Sequence, residues 1–177
     1  MERPVFFYDV GSPWCWLAAE RLGGRPEWVP VVAAHQPTVD RGAVERLAAA
    51  DGLPGVVWPE PFPFDTRTAM LAATFAKEAG RAVAFSLAAM RQAFLAGRDL
   101  SVVDNVLIAA AACELHPRAV LKGVDSARVA SELEAASARA SAAGVLELPA
   151  LVDGGRTWSG AEAVKAARPS SSPSNPA

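Results

Sequence analysis

The sequence predicts an α/β sandwich in which a helical subdomain interrupts a single sheet. Three observations predict it. The chain opens with a strand, a helix and a second strand; helical periodicity dominates residues 65–143; strand signals and a hairpin turn return only near the end, before a last helix. If both ends share a sheet, the middle block is an insertion between two halves of one domain. The 177 residues suit one domain, at roughly 100–200 residues each. Hydrophobic residues make up 51% of the chain and charged residues 20%. That is enough apolar side chain for a sizeable core, and it excludes disorder as the dominant state.

Taken in order, Val5-Phe6-Phe7-Tyr8 is β-branched and aromatic and reads as a buried strand. Asp9 to Gly11 breaks it. Ser12-Pro13 then starts a helix, because Ser caps well and Pro suits the first helical position. The helix runs through Leu22 and stops at Gly23-Gly24, and the next strand is expected over Trp28 to Ala34. A strand, a crossover helix and a strand imply a right-handed unit with a parallel pair. Gly52 to Phe64 holds four prolines and reads as a loop. Apolar residues from Met70 to Leu95 recur at helical spacing, with a break near Gly80 and a stop at Gly97. Ser101-Val102-Val103-Asp104 resembles a capping box with a shorter acid. Ser126 caps another expected helix, which reaches Ala143 and stops at Gly144. Val145 to Leu148 and Ala150 to Val152 carry strand signals on either side of Pro149. Asp153-Gly154-Gly155 signals a hairpin, a short strand follows around Thr157-Trp158, and a last helix spans Ala161 to Ala167. The expected domain therefore covers 1–168 with a helical insertion at about 65–125, and the Ser/Pro-rich residues 169–177 are expected to be a disordered tail.

Seventeen basic and nineteen acidic side chains leave a net charge of −2, which offers no broad electrostatic case for nucleic acid or anionic lipid. No run reaches the ~20 apolar residues of a membrane helix, and the first residues lack the pattern of a signal peptide. Two cysteines, Cys15 and Cys113, do not make a disulfide scaffold. The expectation is a soluble, cytoplasmic protein with reduced thiols. His35 and His116 with two scattered cysteines show no zinc spacing, so no metal is expected.

The chemistry-bearing stretch is Ser12-Pro13-Trp14-Cys15, where a strand hands over to a helix. The first helical N–H groups lack internal partners and carry positive partial charge, so an anion, a thiolate above all, is stabilised there. Ser12 can donate its hydroxyl to such an anion or act as a plain N-cap. Cys15 can be a reactive thiol or a small core hydrophobe. Asp9 can sit near the site or serve as a cap. Trp14, Trp16 and Trp58 read as core or cleft wall. Glu132-Leu133-Glu134 with Arg128 and Arg139 reads as a solvated helix face.

Phe6 to Leu17 resembles the opening of the DsbA superfamily of thioredoxin folds, and is especially similar to 2-hydroxychromene-2-carboxylate isomerases and kappa-class glutathione transferases. Gly144 to Val152 resembles that family's segment around a cis-proline, and Asp65 to Ala69 with Ala96 to Leu100 resembles its helical insertion. The resemblance covers most of residues 4–167. It implies a thioredoxin-like α/β fold with an all-helical insertion of the DsbA type.

It also implies roles. Ser12 matches the serine that hydrogen-bonds a glutathione sulfur, flanked by Pro13 and Trp14. Pro149 matches the cis-proline, which leaves the Leu148 backbone free to pair with an extended peptide. Ser159-Gly160-Ala161-Glu162 matches the start of the last helix, which receives the γ-glutamyl carboxylate. Two departures stand out. Isomerases carry Gly-[SN]-Asp where this chain has Gly160-Ala161-Glu162, and Cys15 stands at the second cysteine of the disulfide oxidoreductases. With Ser12 in the attacking position, a dithiol–disulfide cycle lacks its first sulfur.

The resulting expectation is an enzyme that uses glutathione or another low-molecular-weight thiol as cosubstrate, with Ser12 and Cys15 as catalytic candidates. It would isomerise or transfer on a hydrophobic electrophile. A DsbA-like thiol–disulfide oxidoreductase with one active-site cysteine, and a non-catalytic binding module, are the alternatives. The expected partner is a small-molecule substrate; the alanine-rich helical block is compatible with a homodimer without requiring one.

Overall fold

The computed structural model describes residues 3–32 and 38–167. Val5–Tyr8 forms β1, Pro13–Leu22 α1 and Glu27–Pro30 β2. β1 and β2 run parallel, with Val5 opposite Glu27 and Tyr8 opposite Pro30. The second strand is shorter than expected. Pro30 has no N–H to give to a ladder, and the last backbone bond of the pair runs from the Val31 N–H to the Tyr8 carbonyl (3.0 Å). Ala33, Ala34 and the His35-Gln36-Pro37 segment lie outside the described residues.

Helix α2 (Arg41–Ala50) was not legible in the sequence; Asp40 caps it through a bond from the Ala43 N–H (2.9 Å). Residues 52–64 form the expected loop. The helical block follows as α3 (Arg67–Glu78), α4 (Ala82–Phe94), α5 (Val103–Ala112), α6 (Pro117–Val124) and α7 (Ala127–Ala142). The capping box at Ser101 does not form: α5 starts after Val102, whose side chain cannot cap, while Asp99 Oδ1 takes the Ser101 N–H (2.8 Å). The helix expected from Ser126 is α7, although Ser126 makes no side-chain cap.

The chain returns to the sheet with β3 (Ala150–Asp153) and β4 (Arg156–Ser159), joined by the expected turn at Gly154-Gly155, and ends in α8 (Gly160–Ala166). Val145 to Leu148, read as strand, is irregular, and Leu146 is 93% exposed. Alternating apolar side chains there had no neighbouring strand to pair with. Sheet order is β2-β1-β3-β4, with β3 antiparallel to both β1 and β4. This mixed sheet, with helices interrupting it, is the thioredoxin-like architecture of the DsbA type.

Strand alternation divides the core. Phe6, Tyr8 and Trp28 face α1, α3 and α4, with Phe6 and Trp28 rings 5.0 Å apart edge to face. Phe7, Val29, Val31 and Ala150 face the other way, toward Ala136 and Ala140 of α7. Each large side chain buried this way contributes about 1.5–3 kcal/mol. Between the layers, Tyr8 Oη and Ser86 Oγ are hydrogen-bonded at 2.6 Å, so neither buried hydroxyl is left unsatisfied.

Three sets of ion pairs tie the elements together. Arg21 of α1 donates from Nε and Nη2 to both Asp51 oxygens (2.6 and 2.9 Å) and from Nη1 to the Val164 carbonyl (2.6 Å). Glu27 takes Lys77 of α3 at 2.8 Å and Arg139 of α7 at 3.0 and 2.8 Å. Arg128 likewise grips Glu78 of α3. The face around Glu132 is therefore not merely solvated: both arginines expected there reach other elements, and Leu133 is buried.

The paired cations hold the Glu27 carboxyl at about 2, against an ordinary 4.5, with Arg139 the larger influence. A depressed carboxylate contributes stability that is complete above 4.5 and is lost as pH falls toward 2. Solvent screening limits the contribution to about 1 kcal/mol. Denaturant titrations of Glu27→Gln are expected to show that loss at pH 7 and none near pH 2. An equal loss at both would contradict the ion-pair origin.

Candidate functional site

The sheet register gathers three segments at one end. Phe7 pairs with Ala150 and Ala150 with Ser159. The loop leaving β1, Pro149 ahead of β3, and Gly160 at the start of α8 therefore share the same rim. The Gly160 N–H closes it with a bond to the Pro149 carbonyl (2.8 Å).

The loop leaving β1 is held from two sides. Asp9, fully buried, accepts the Gly11 N–H at Oδ1 (2.8 Å) and the Thr66 hydroxyl at Oδ2 (2.9 Å). The Val10 N–H points at the Met70 sulfur of α3 (3.3 Å). Gly11 has no room for a Cβ, which would overlap the Thr66 methyl. Asp9, left open between cap and site residue, is a support for the turn that delivers Ser12.

Ser12 is the N-cap of α1, with extended backbone (φ −94°, ψ 119°) and Pro13 next in the helix. Its Oγ accepts the Cys15 N–H at 3.3 Å. That bond uses one lone pair, and the hydroxyl hydrogen faces the Cys15 sulfur, from which it can turn to a ligand anion. Cap and donor, posed as alternatives by the sequence, are compatible. Ser12 and Trp14 are half-buried; Pro13 is buried.

Of the two readings open for Cys15, reactive thiol or core side chain, its burial matches the second. It is fully buried, its sulfur meets the Asp9 N–H at 3.5 Å, and burial pushes the thiol up to about 12. The bonds from Ser12 and Asp9 act in the opposite direction and are outweighed by desolvation. Native Cys15 is expected to react with iodoacetamide on the order of 1,000-fold slower than an exposed thiol, with ordinary reactivity returning in denaturant. Fast labelling of the folded protein at Cys15, mapped by mass spectrometry, would contradict this placement.

Opposite, the Leu148–Pro149 peptide is cis. Leu148 is half-buried, and among the described residues neither its N–H nor its carbonyl has a hydrogen-bond partner. Ser159 sits at the N-cap of α8 without a side-chain cap. Gly160 is buried with φ +56°, a conformation that favours glycine. Ala161 and Glu162 are exposed, and Glu162 accepts from Lys165 (2.7 Å). The structure thus brings Ser12, Leu148, Pro149, Ser159 and Gly160 to one rim, and sets Cys15 beneath it.

Two features escaped the sequence. The Glu147 carboxylate lies over Gly160, where an added Cβ would collide with it. An aromatic group also reaches toward the site: Phe64 beside Gly11, then Phe62 and Trp58, with the Arg41 guanidinium 4.9 Å from the Trp58 ring. The signal available was the Phe62-x-Phe64 spacing just before Asp65. His116 caps α6 through Nδ1, which accepts the Arg118 N–H (3.2 Å). Among the described residues, no group of three or more His, Cys, Asp or Glu is placed to hold a metal ion, and no helix is long and apolar enough to cross a membrane.

No protein-family model and no curated protein matches the chain. Solved structures do. A 2-hydroxychromene-2-carboxylate isomerase superposes with a TM-score of 0.78 at 16% identity, over 89% of this chain and 88% of that one. A probable DsbA oxidoreductase from Streptomyces coelicolor gives 0.71 at 20% identity, over 93% and 86%. The cytosolic disulfide reductase DsbM of Pseudomonas aeruginosa, solved with GSH, gives 0.64 at 15% identity, over 88% and 87%. At such identities the likeness establishes the DsbA-type thioredoxin fold.

Proposed function

We propose that this chain is a cytoplasmic enzyme that binds a low-molecular-weight thiol of the glutathione type as its thiolate and adds it to a hydrophobic electrophile. The observation that carries this reading is Ser12. Its hydroxyl stands at the half-buried N-terminus of α1, between the rim and the Cys15 sulfur, which is sealed in the core. An oxygen in that position cannot form a disulfide. It can stabilise a thiolate that a ligand brings, helped by the positive end of the helix.

The unpartnered Leu148 peptide groups, next to buried Pro149, suit the backbone of an extended peptide thiol. The chemistry is redox-neutral. The thiol loses its proton to solvent as it binds. Its sulfur forms a C–S bond to one carbon of an electron-poor double bond, and the π pair moves onto the activating group. The resulting single bond rotates, the electrons return, and the C–S bond breaks to release the isomer and the thiolate. Displacement of a leaving group by the same thiolate would give transfer. Phe64 and Phe62 offer an apolar wall for the electrophile.

Cys15 takes no part in this scheme except through its backbone N–H, which holds Ser12 Oγ in place. That weighs against the single-cysteine oxidoreductase reading. Isothermal titration of glutathione into the wild-type protein should show binding that strengthens as pH rises toward the thiol's own range, and Ser12→Ala should abolish the pH-linked part. Absence of binding to glutathione and to other cellular thiols would refute the proposal.

A further inference from the structure

We infer that Glu147 determines which thiol the site accepts, selecting one whose amino-terminal end carries an ammonium group and no carboxylate. The inference rests on the thiol-binding reading of Ser12 and deepens it. Glu147 is exposed, two residues before Pro149, and its carboxylate lies directly over Gly160. Gly160 is itself bonded to the Pro149 carbonyl, so this carboxylate borders the peptide edge at Leu148.

The loop carrying Ser12, the Leu148–Pro149 peptide and Gly160 share one rim, so an extended thiol with its sulfur at Ser12 and its backbone on Leu148 would end beside Gly160. There it meets Glu147. The basic residue of α8 in reach of its first turn, Lys165, is already bonded to Glu162. Among the described residues Glu147 forms no ion pair of its own. A ligand carboxylate would be forced against a fixed negative charge, whereas an ammonium group would complete a pair. Gly160 strengthens the constraint. A side chain there would both strain a backbone at φ +56° and displace the carboxylate, so glycine is what lets Glu147 lie so close.

Two probes differing by one charge test the assignment: glutathione, and glutathione with its γ-glutamyl carboxylate converted to the amide, which keeps the ammonium group. The wild-type protein is expected to bind the amide about tenfold more tightly than glutathione, a preference that Glu147→Gln removes and Glu147→Lys reverses. Glu147 is exposed, so neither change threatens folding. Equal or tighter binding of glutathione by the wild-type protein, or a ratio unchanged in Glu147→Gln, overturns the assignment while leaving thiol binding intact. Failure of both probes to bind overturns the Ser12 reading, and this inference with it.

Discussion

Ser12→Ala is expected to lower kcat/KM for the thiol-dependent reaction about 100- to 1,000-fold, the usual cost of removing one donor aimed at an anion in a preorganised site. Two effects are bundled in that change. Losing the cap to the Cys15 N–H costs about 1 kcal/mol of stability. Losing the hydroxyl removes the donor proposed to hold the ligand sulfur. A pair of variants separates them. Ser12→Asp keeps a good cap and, ionised, has no hydrogen to donate, so it should retain the wild-type Tm yet show at least the same kinetic loss. Ser12→Thr keeps both functions and should retain most of the activity. The thiolate itself supplies a further readout: the apparent pKa of bound thiol, followed by its ultraviolet absorbance, should rise in Ser12→Asp and not in Ser12→Thr. If Ser12→Asp is as active as the wild type, the hydroxyl has no chemical role.

The largest expected effect on stability lies at Arg21. Its side chain is 7% exposed and makes three bonds, two to Asp51 after α2 and one to the Val164 carbonyl near the end of α8. Arg21→Met replaces the guanidinium with a side chain of similar length, leaving Asp51 without its cation and the Val164 carbonyl without its donor. Breaking a largely buried pair from one side costs about 3 kcal/mol, which for a domain of this size lowers Tm by about 6–12 °C. The double variant Arg21→Met/Asp51→Ala should lose less than the sum of the singles, because the second change removes the stranded carboxylate. Calorimetric unfolding of the four proteins measures this. Strict additivity would show that the two side chains act independently.

Strands and helices whose apolar period matched their neighbours were legible in the sequence, and so was the arrangement they imply. Val5 to Tyr8 alternates between two cores, and Pro13 to Leu22 has a cap, a proline and a glycine stop in the right places. The failures have a common cause. Val145 to Leu148 has a strand's composition but no strand beside it, Ser101 lost its cap to a turn closed by Asp99, and α2 has only two buried residues, too few to show a stripe. Local propensity could not anticipate these outcomes, because each depends on what tertiary structure placed alongside.

The same limit applies at the site. Ser12 could be picked out from its strand-to-helix junction, and Pro149 and Gly160 only through the resemblance to a known family. The carboxylates at Asp9 and Glu147 meet groups 57 and 13 positions away, Thr66 and Gly160, and no local pattern announces such partnerships. Cys15 stayed open between reactive thiol and core side chain for a different reason. A helix's first turn lowers a thiol only while water or a counter-charge can reach the sulfur, and depth in the protein decides that.

The turn that carries Ser12 is fastened to the helical insertion as well as to the sheet, through Thr66 and Met70. Prising the insertion away from the sheet would pull on the very turn that positions the hydroxyl. A chain built this way holds the Ser12 turn in place before any ligand arrives, fixed at once by the sheet and by the insertion.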